Sequence, residues 1–199
     1  MAFNLKVESF KERKWHSVVR QQRDFSCGSA AVATLLSYHY DRPTPEDEVF
    51  KAMFEVGDRK KIMAQGFSLL DMKNFLDARG YRADGFRVSL DKLAQVGVPA
   101  IVLLNIRGYK HFVVIKGITP RDVLVGDPSR GIQRYKRGDF QKLLENDIVF
   151  VIRTQVKTAK ANFNLVDDWS AHPQAPLGPA VDQGNLANIT IYLPGPSSR

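Results

Sequence analysis

The sequence predicts an α+β fold in which an N-terminal helical part packs on an antiparallel β-sheet. Apolar residues recur at helical spacing in the first 80 residues, whereas β-branched runs separated by short turns occupy residues 99–152. Strands joined by such short turns favour antiparallel pairing, and helices that precede strands are typical of α+β domains. An apolar fraction of 44% in 199 residues is sufficient for a packed core.

The first predicted helix begins near Cys27 and runs to Tyr40. Small residues fill its first turns, which lets other backbone approach closely, so we expect this helix to be central and buried. The segment 41–43 ends it. Thr44 is then predicted to cap a second helix that has Pro45 at its first position.

A loop rich in Gly and Lys is expected after the second helix. Ser68 is predicted to cap a third helix, which Gly80 ends in the usual C-terminal manner. The later elements are expected in this order: a short helix at 89–95, strands at 99–104, 111–118, 123–125 and 132–135, a short helix at 140–144, and a last strand at 148–152.

Periodicity decays after Arg153, and the remaining chain is rich in Pro, Gly, Asn and Gln. We therefore divide the chain into an N-terminal arm (1–18), a folded domain (19–155) and a C-terminal extension of unknown role (156–199). Within the extension, Ile189 to Leu193 could form one edge strand. The chain has no run of 18 apolar residues, so no membrane span is expected.

The formal net charge of +8 raises the possibility of a nucleic-acid partner. The basic residues are scattered, however, and no aromatic–basic motif accompanies them, so a solvated basic surface is the favoured interpretation and no nucleic acid is expected. One Cys and four dispersed His do not provide the clustered ligands of a zinc site. We expect neither a metal nor a cofactor.

Cys27 is the single cysteine, which excludes an intramolecular disulfide. One interpretation is a small buried core residue. The other is a nucleophile, because the N terminus of a helix and a nearby imidazolium both favour the thiolate. The base would have to come from elsewhere: His39 lies about 12 residues along the same helix, or roughly 18 Å away, and cannot reach the thiol within it. His16 belongs to the basic arm and His172 to the polar tail.

His111 is the remaining histidine and opens an apolar strand, where it is either a structural residue or a catalytic base. Asp127, in Gly-Asp-Pro, could orient that imidazole or simply form a turn. A glutamine ahead of the helix, Gln21 or its neighbour Gln22, could donate an amide N–H to a developing oxyanion.

Taken together, these motifs resemble the C39 family of papain-like bacterial cysteine peptidases. The motifs, in chain order, are a Gln, then Asp-Phe-Ser-Cys-Gly-Ser-Ala at a helix start, then His-Phe-Val-Val and finally Gly-Asp-Pro. The resemblance covers about residues 19–153. It implies that Cys27 is the nucleophile, His111 the base and Asp127 its orienting partner. The family's oxyanion glutamine lies six residues before the cysteine, which is Gln21 here, and the Cys27 N–H would be the second donor.

Family members are best known for removing leader peptides from bacteriocins within transporters. This chain is similar to the stand-alone branch, whose members often carry a signal and occur with secretion or surface-fibre systems. The acidic residue usual before the cysteine is replaced by Ser26, with Asp24 slightly earlier. The resemblance implies an endopeptidase that cleaves a leader or export segment after small residues such as Gly-Gly or Gly-Ala, with secretion or fibre-assembly proteins as possible partners.

The resemblance also implies a location in the periplasm, with a signal peptide already removed; the alternative is the cytoplasm. The N terminus itself lacks a charged-then-apolar signal pattern. Two other functions stay open at this point. One is a leader-binding module that does not cleave, and the other is a papain-like peptidoglycan peptidase.

Overall fold

The computed structural model describes residues 10–171. The predicted strand at 189–193 and His172 lie outside these residues. The helices are α1 (Phe10–Arg13), α2 (Cys27–His39), α3 (Glu46–Val56), α4 (Arg59–Gln65), α5 (Leu69–Asp77), α6 (Leu90–Val96), α7 (Arg137–Leu143), α8 (Val156–Ala161) and α9 (Val166–Ser170). The strands are β1 (Ala83–Arg87), β2 (Ala100–Ile106), β3 (Tyr109–Ile118), β4 (Asp122–Asp127), β5 (Gly131–Lys136) and β6 (Leu144–Ile152).

The six strands form one sheet in the order β1-β6-β2-β3-β4-β5, and all neighbouring pairs are antiparallel. The predicted α+β class with an antiparallel sheet is therefore confirmed. The short turns after β2, β3 and β4 place consecutive strands side by side, so β3 lies at the centre of the later hairpins. The register pairs Leu104 with His111 and Val114 with Gly126. The start of β3 and the end of β4 therefore lie next to each other at the same end of these strands.

Apolar side chains cover both faces of the sheet. On one face, α2, α3 and α5 pack against strand residues such as Ile101, Val114 and Phe150. On the other face, the short helices α6 and α7 contribute Leu93 and Phe140 to a second cluster. The site described below lies at the N-terminal end of α2, where the first of these layers meets β3.

Helix α2 is central and buried, as its small residues predict. All of its residues from Cys27 to Leu36 are buried. A Cβ atom at Gly28 would lie 2.8 Å from Met72 Cε and 3.0 Å from Phe67 Cβ, so any larger residue would force these side chains to shift. The first turn of α2 is thereby fixed against α5 and the segment before it.

Two local predictions for the helices were wrong. The expected Gly- and Lys-rich loop contains α4, because the Asp58 carboxylate accepts the backbone N–H groups of Lys60 and Lys61 and caps a short helix there. Thr44 does not cap α3, whose N-cap is Pro45. The Thr44 hydroxyl instead donates to the Arg42 carbonyl, so it stabilises the preceding turn.

Helices α8 and α9 lie in the segment where the sequence loses periodicity, and β1 precedes α6 as an unpredicted edge strand. These elements are held by contacts distant in sequence: β1 pairs with β6, and Asn162 and Asn164 of the last segment bond to His39 and β3. The domain limits at 18 and 155 stay a prediction. Within residues 10–171, no helix combines the length and apolar character that crossing a membrane requires.

Candidate active site

Cys27 is the first residue of α2, and its side chain is buried apart from 7% of its surface. The N–H groups in the first turn of a helix have no partner within the helix, and the helix dipole favours negative charge there. Ser26 precedes it and is also buried. Its hydroxyl donates to the Arg23 carbonyl and accepts the Arg23 N–H, each at 3.1 Å, so it closes the loop that leads into the helix.

His111 and Asp127 are in direct contact. His111 Nε2 lies 2.8 Å from Asp127 Oδ1, and both side chains are almost fully buried. His111 is in the first part of β3 and Asp127 is the last residue of β4, so the antiparallel register of these strands brings together two residues that are 16 positions apart.

Asp127 also forms the turn that the Asp-Pro pair suggests. Its Oδ1 atom accepts hydrogen bonds from the Ser129 N–H at 2.8 Å, the Ser129 hydroxyl at 2.7 Å and the Arg130 N–H at 3.2 Å. The turn and the contact with His111 are therefore not alternatives. The turn fixes the carboxylate in the position from which it reaches the imidazole.

The contact changes the proton affinity of both groups. Burial alone disfavours the charged imidazole, but the hydrogen bond and charge of Asp127, together with Cys27, raise the pKa of His111 to about 9. Burial likewise opposes the charged carboxylate, yet the hydrogen bonds from His111 and Ser129 hold the pKa of Asp127 below its usual value. At neutral pH the pair is an imidazolium and a carboxylate.

His111 Nδ1 is the ring nitrogen that remains available. It is buried and forms no hydrogen bond of normal geometry, although Cys27 is close enough to raise the pKa of the ring. We therefore treat Cys27 and His111 as neighbours without a formed hydrogen bond. Thiol–imidazole contacts of this kind often tighten only when substrate binds.

Gln21 lies beside the loop that leads into α2. Its Nε2 donates to the Arg23 carbonyl at 3.0 Å and to the Asp24 carbonyl at 3.4 Å, and its backbone N–H donates to the Pro128 carbonyl at 3.0 Å. Gln21 thus connects the loop before Cys27 with the turn after Asp127. The Gln22 side chain is exposed. This placement favours Gln21 over Gln22 as the candidate oxyanion donor.

A cleft of about 640 Å³ opens at Cys27. One wall is formed by the end of α4 with Gly66, and the other by the β2–β3 turn with Tyr109. The Tyr109 ring stacks on His111 with centroids 5.7 Å apart, and its hydroxyl donates to the Asp24 carbonyl at 3.4 Å. Tyr109 therefore connects the wall of the cleft with His111 and with the loop before Cys27.

The sequence interpretation did not select Tyr109 or Ser129. Tyr109 lies two residues before His111, a spacing that places both side chains on one side of a strand, and this signal could have identified it. Ser129 lies two residues after Asp127, the position whose N–H bonds an Asx side chain in a turn. Among residues 10–171, no three His, Cys, Asp or Glu side chains are grouped as metal ligands would be.

The chain matches the model of the peptidase C39 family over residues 15–156. It is 44% identical over 146 residues to the probable functional amyloid protease FapD of Pseudomonas aeruginosa, which covers 73% of this chain and 64% of that protein. The FapD protein of Pseudomonas fluorescens is also 44% identical, over 74% of this chain and 65% of its own length. The chain thus matches slightly less than two thirds of these relatives.

A solved structure with the same fold is a double glycine motif protease from an AMS/PCAT transporter in complex with the leader peptide. It is 26% identical, with a TM-score of 0.56, over 68% of this chain and 89% of its own. This likeness confirms the papain-like fold. The cysteine at a helix start, the buried His–Asp pair and the family match across most of the sequence together place the chain in the peptidase C39 family.

Proposed function

We propose that the protein is a cysteine endopeptidase and that Cys27, His111, Asp127 and Gln21 perform the reaction. The observation that carries the proposal is the buried His111–Asp127 pair beside Cys27 at the head of a cleft. A histidine whose pKa is raised by a buried carboxylate, beside a thiol that opens into a cleft, is typical of a catalytic site.

The reaction follows from the positions of these groups. Cys27 Sγ attacks the scissile carbonyl as the thiolate, and the carbonyl oxygen becomes an oxyanion. The Cys27 N–H and Gln21 Nε2 stabilise that oxyanion by hydrogen bonds. For Gln21 this hydrogen bond replaces the longer one from Nε2 to the Asp24 carbonyl. His111 Nδ1 protonates the leaving amine, while Nε2 stays bonded to Asp127. Water then hydrolyses the thioester with His111 as base.

The substrate that we propose is a leader or export segment with small residues before the cleaved bond. Tyr109 and Cys27 both line the cleft, and a Gly-Gly or Gly-Ala segment would bring the scissile carbonyl to the thiol with no side chain to accommodate beside the Tyr109 ring. The relatives named functional amyloid proteases point to fibre-assembly or secretion proteins as partners. We also propose a periplasmic location, which cell fractionation with a marker enzyme would test.

Mass spectrometry of synthetic leader peptides tests the activity. We expect the wild type to cleave after Gly-Gly and not after Leu-Leu in an otherwise identical peptide, and Cys27→Ala to lower the rate by at least about 10³-fold. Gln21→Ala should lower kcat by about 10²- to 10³-fold, whereas the matched control Gln22→Ala should leave it near the wild-type value. Full activity of Cys27→Ala would disprove the mechanism.

Alkylation separates the peptidase from a leader-binding module. Because the chain has one cysteine, any thiol adduct with iodoacetamide lies at Cys27. A thiolate beside an imidazolium reacts in mildly acidic solution, so we expect fast labelling that slows in His111→Ala. A thiol that stays unlabelled, in a protein that binds leader peptides without cutting them, would favour the binding module.

A further inference from the structure

A buried cluster of charged and polar side chains lies outside the cleft, beside the C-terminal half of α2. Its centre is Lys116 of β3, whose side chain is 1% exposed. Lys116 Nζ lies 3.1 Å from the Ser17 carbonyl oxygen, 3.1 Å from His39 Nε2 and 3.2 Å from Asp168 Oδ2. The first two contacts are hydrogen bonds, and the third is an ion pair with the Asp168 carboxylate.

The histidine in this cluster acts as an acceptor. Burial and the charge of Lys116 lower the pKa of His39 well below its usual value, so the ring is neutral. Its Nδ1–H then bonds to the Asn162 carbonyl at 2.7 Å, which leaves Nε2 free to accept from Lys116. His39 and Lys116 thereby bind the chain that follows α8.

Asp168 comes from α9, beyond the residues that match the family model. Its side chain is 1% exposed, and its Oδ1 accepts the Ser17 hydroxyl and lies 3.1 Å from His16 Nε2. We name residues 156–171 the C-terminal clasp. The clasp is held to β3 independently by Asn164, whose N–H donates to the Lys116 carbonyl and whose side chain accepts the Ile118 N–H.

Ser17 is bonded to the clasp and lies next to the segment that leads to the active site. Four residues later the same segment reaches Gln21, about 13 Å away if extended. Residues 18–21 have no regular secondary structure, so their position depends on individual contacts. Among them are the two bonds at Ser17, the packing of the Val18 side chain against Leu124 and Ile132, the bond from the Val19 N–H to Thr34 Oγ1 of α2, and the bond from the Gln21 N–H to the Pro128 carbonyl.

We propose that Asp168 and Lys116 are positioning residues for the cleavage reaction, because they hold at Ser17 the segment that carries the oxyanion donor Gln21. Asp168 accepts a hydrogen bond from the Ser17 hydroxyl, and Lys116 donates one to the Ser17 carbonyl. The buried ion pair between Asp168 and Lys116 therefore holds both the side chain and the backbone of Ser17. Removing either charge leaves the other buried without compensation. The inference rests on the proposed peptidase function.

The test compares Asp168→Asn with Asp167→Asn, an exposed carboxylate on the same helix. We expect Asp168→Asn to lower kcat about 10- to 100-fold with little change in KM. A small displacement of an oxyanion donor reduces the stabilisation of the transition state and leaves substrate binding almost unchanged. Asp167→Asn should match the wild type. An unchanged kcat in folded Asp168→Asn would overturn the proposal.

A double-mutant cycle distinguishes positioning from general loss of stability. If Asp168 acts through Gln21, Asp168→Asn should lower kcat little further once Gln21→Ala is present. Additive effects of the two substitutions would overturn the proposal. If Asp168→Asn does not fold, Ser17→Ala replaces it in the cycle, since this variant removes the hydroxyl contact and leaves the ion pair intact.

Hydrogen exchange gives a readout that does not depend on activity. Residues 18–21 should exchange faster in Asp168→Asn or Ser17→Ala than in the wild type, while β2 and β3 keep their protection. Unchanged exchange at residues 18–21 would overturn the proposal. A wild type that cleaves no leader peptide would instead contradict the peptidase function, and the exchange measurement would still decide whether the clasp holds the segment.

Discussion

His111 has two ring nitrogens with different surroundings. Nε2 is bonded to the Asp127 carboxylate, while Nδ1 faces the region of Cys27 with no formed bond. The contact with Asp127 fixes the orientation of the ring and helps to raise its pKa to about 9. In the proposed mechanism the proton on Nδ1, which has no formed bond, goes to the leaving amine. One residue is thus held by one partner and free to react toward another.

Replacing Asp127 should move the pH dependence of cleavage. In the proposed mechanism His111 donates the proton to the leaving amine, and it is protonated below its pKa of about 9, so the alkaline limb of kcat/KM for the wild type should lie near that value. Asp127→Asn removes the charge that raises the pKa, and burial then lowers it. We expect the alkaline limb to shift to lower pH and kcat/KM near pH 8 to fall by about 10²- to 10⁴-fold.

Ser129→Ala is the matched control, because it removes one hydrogen bond to Asp127 Oδ1 and keeps the carboxylate. Its alkaline limb should stay close to that of the wild type. Rates measured between about pH 5 and pH 10 with one peptide compare the three proteins. An alkaline limb that does not move in Asp127→Asn would mean that Asp127 does not set the protonation of His111.

Single residues differ in how far the sequence identifies them. Cys27 and His111 could be selected because the sequence places them at the start of a helix and near the start of a strand, and these two element ends meet at one site. Asp127 had two interpretations, and only the register of β3 and β4 brings it to His111. Tyr109 contacts His111 and Ser129 contacts Asp127 because the backbone turns bring them there. Their residue types alone do not specify these contacts.

Helix α2 is the element that connects the site to the core. Its first residue carries the thiol, and its buried residues extend from that point along most of its length. The close approach of Met72 and Phe67 at Gly28 fixes the depth of its first turn. A change in this packing would therefore move the Cys27 thiol relative to β3.

Alanine at Gly28 should destabilise the protein. A Cβ atom would lie 2.8 Å from the buried side chain of Met72 and 3.0 Å from Phe67 Cβ, and this overpacking costs about 1–3 kcal/mol, more than the gain of up to about 1 kcal/mol in helix propensity. Gly138, also the second residue of its helix, has open space around it. We expect Gly28→Ala to lower Tm and Gly138→Ala to raise it or leave it unchanged. Equal shifts of the same sign would contradict the packing argument.

Elements held by long-range contacts were those that the sequence did not predict. Periodic apolar residues identified α2, α3 and α5, and β-branched runs identified β2 and β3. By contrast, β1 needs β6 as a partner, and α8 and α9 have few apolar residues of their own. For α4 the signal was present, since Asp58 is a good N-cap, but Gly and Lys in the same segment suggested a loop.

The two ends of the described chain meet at one buried cluster. Ser17 and Asp168 are 151 positions apart, and His39 and Asn162 are 123 apart, yet all four contribute to the cluster around Lys116. A sequence pattern carries no information about such contacts because no periodicity links them. The whole molecule, and not one local motif, therefore determines where the segment before Cys27 lies.

The stability of the whole molecule should depend on pH through His111. The pKa of His111 is about 9 in the folded protein and about 6.5 for an exposed histidine, so the folded state binds the proton more tightly. The resulting stabilisation is fully present below about pH 6.5 and is lost as the pH rises through about 9. A shift of this size corresponds to on the order of 3 kcal/mol.

Urea unfolding of the wild type and His111→Gln isolates this contribution. Groups common to both proteins cancel in the difference between their free energies of unfolding, so the difference should shrink by on the order of 3 kcal/mol between about pH 6 and about pH 9.5. Asp127→Asn keeps the imidazole but loses its partner, and its stability should also lack this fall with rising pH. Parallel curves for the wild type and both variants across this range would show that the buried pair does not hold the proton on His111.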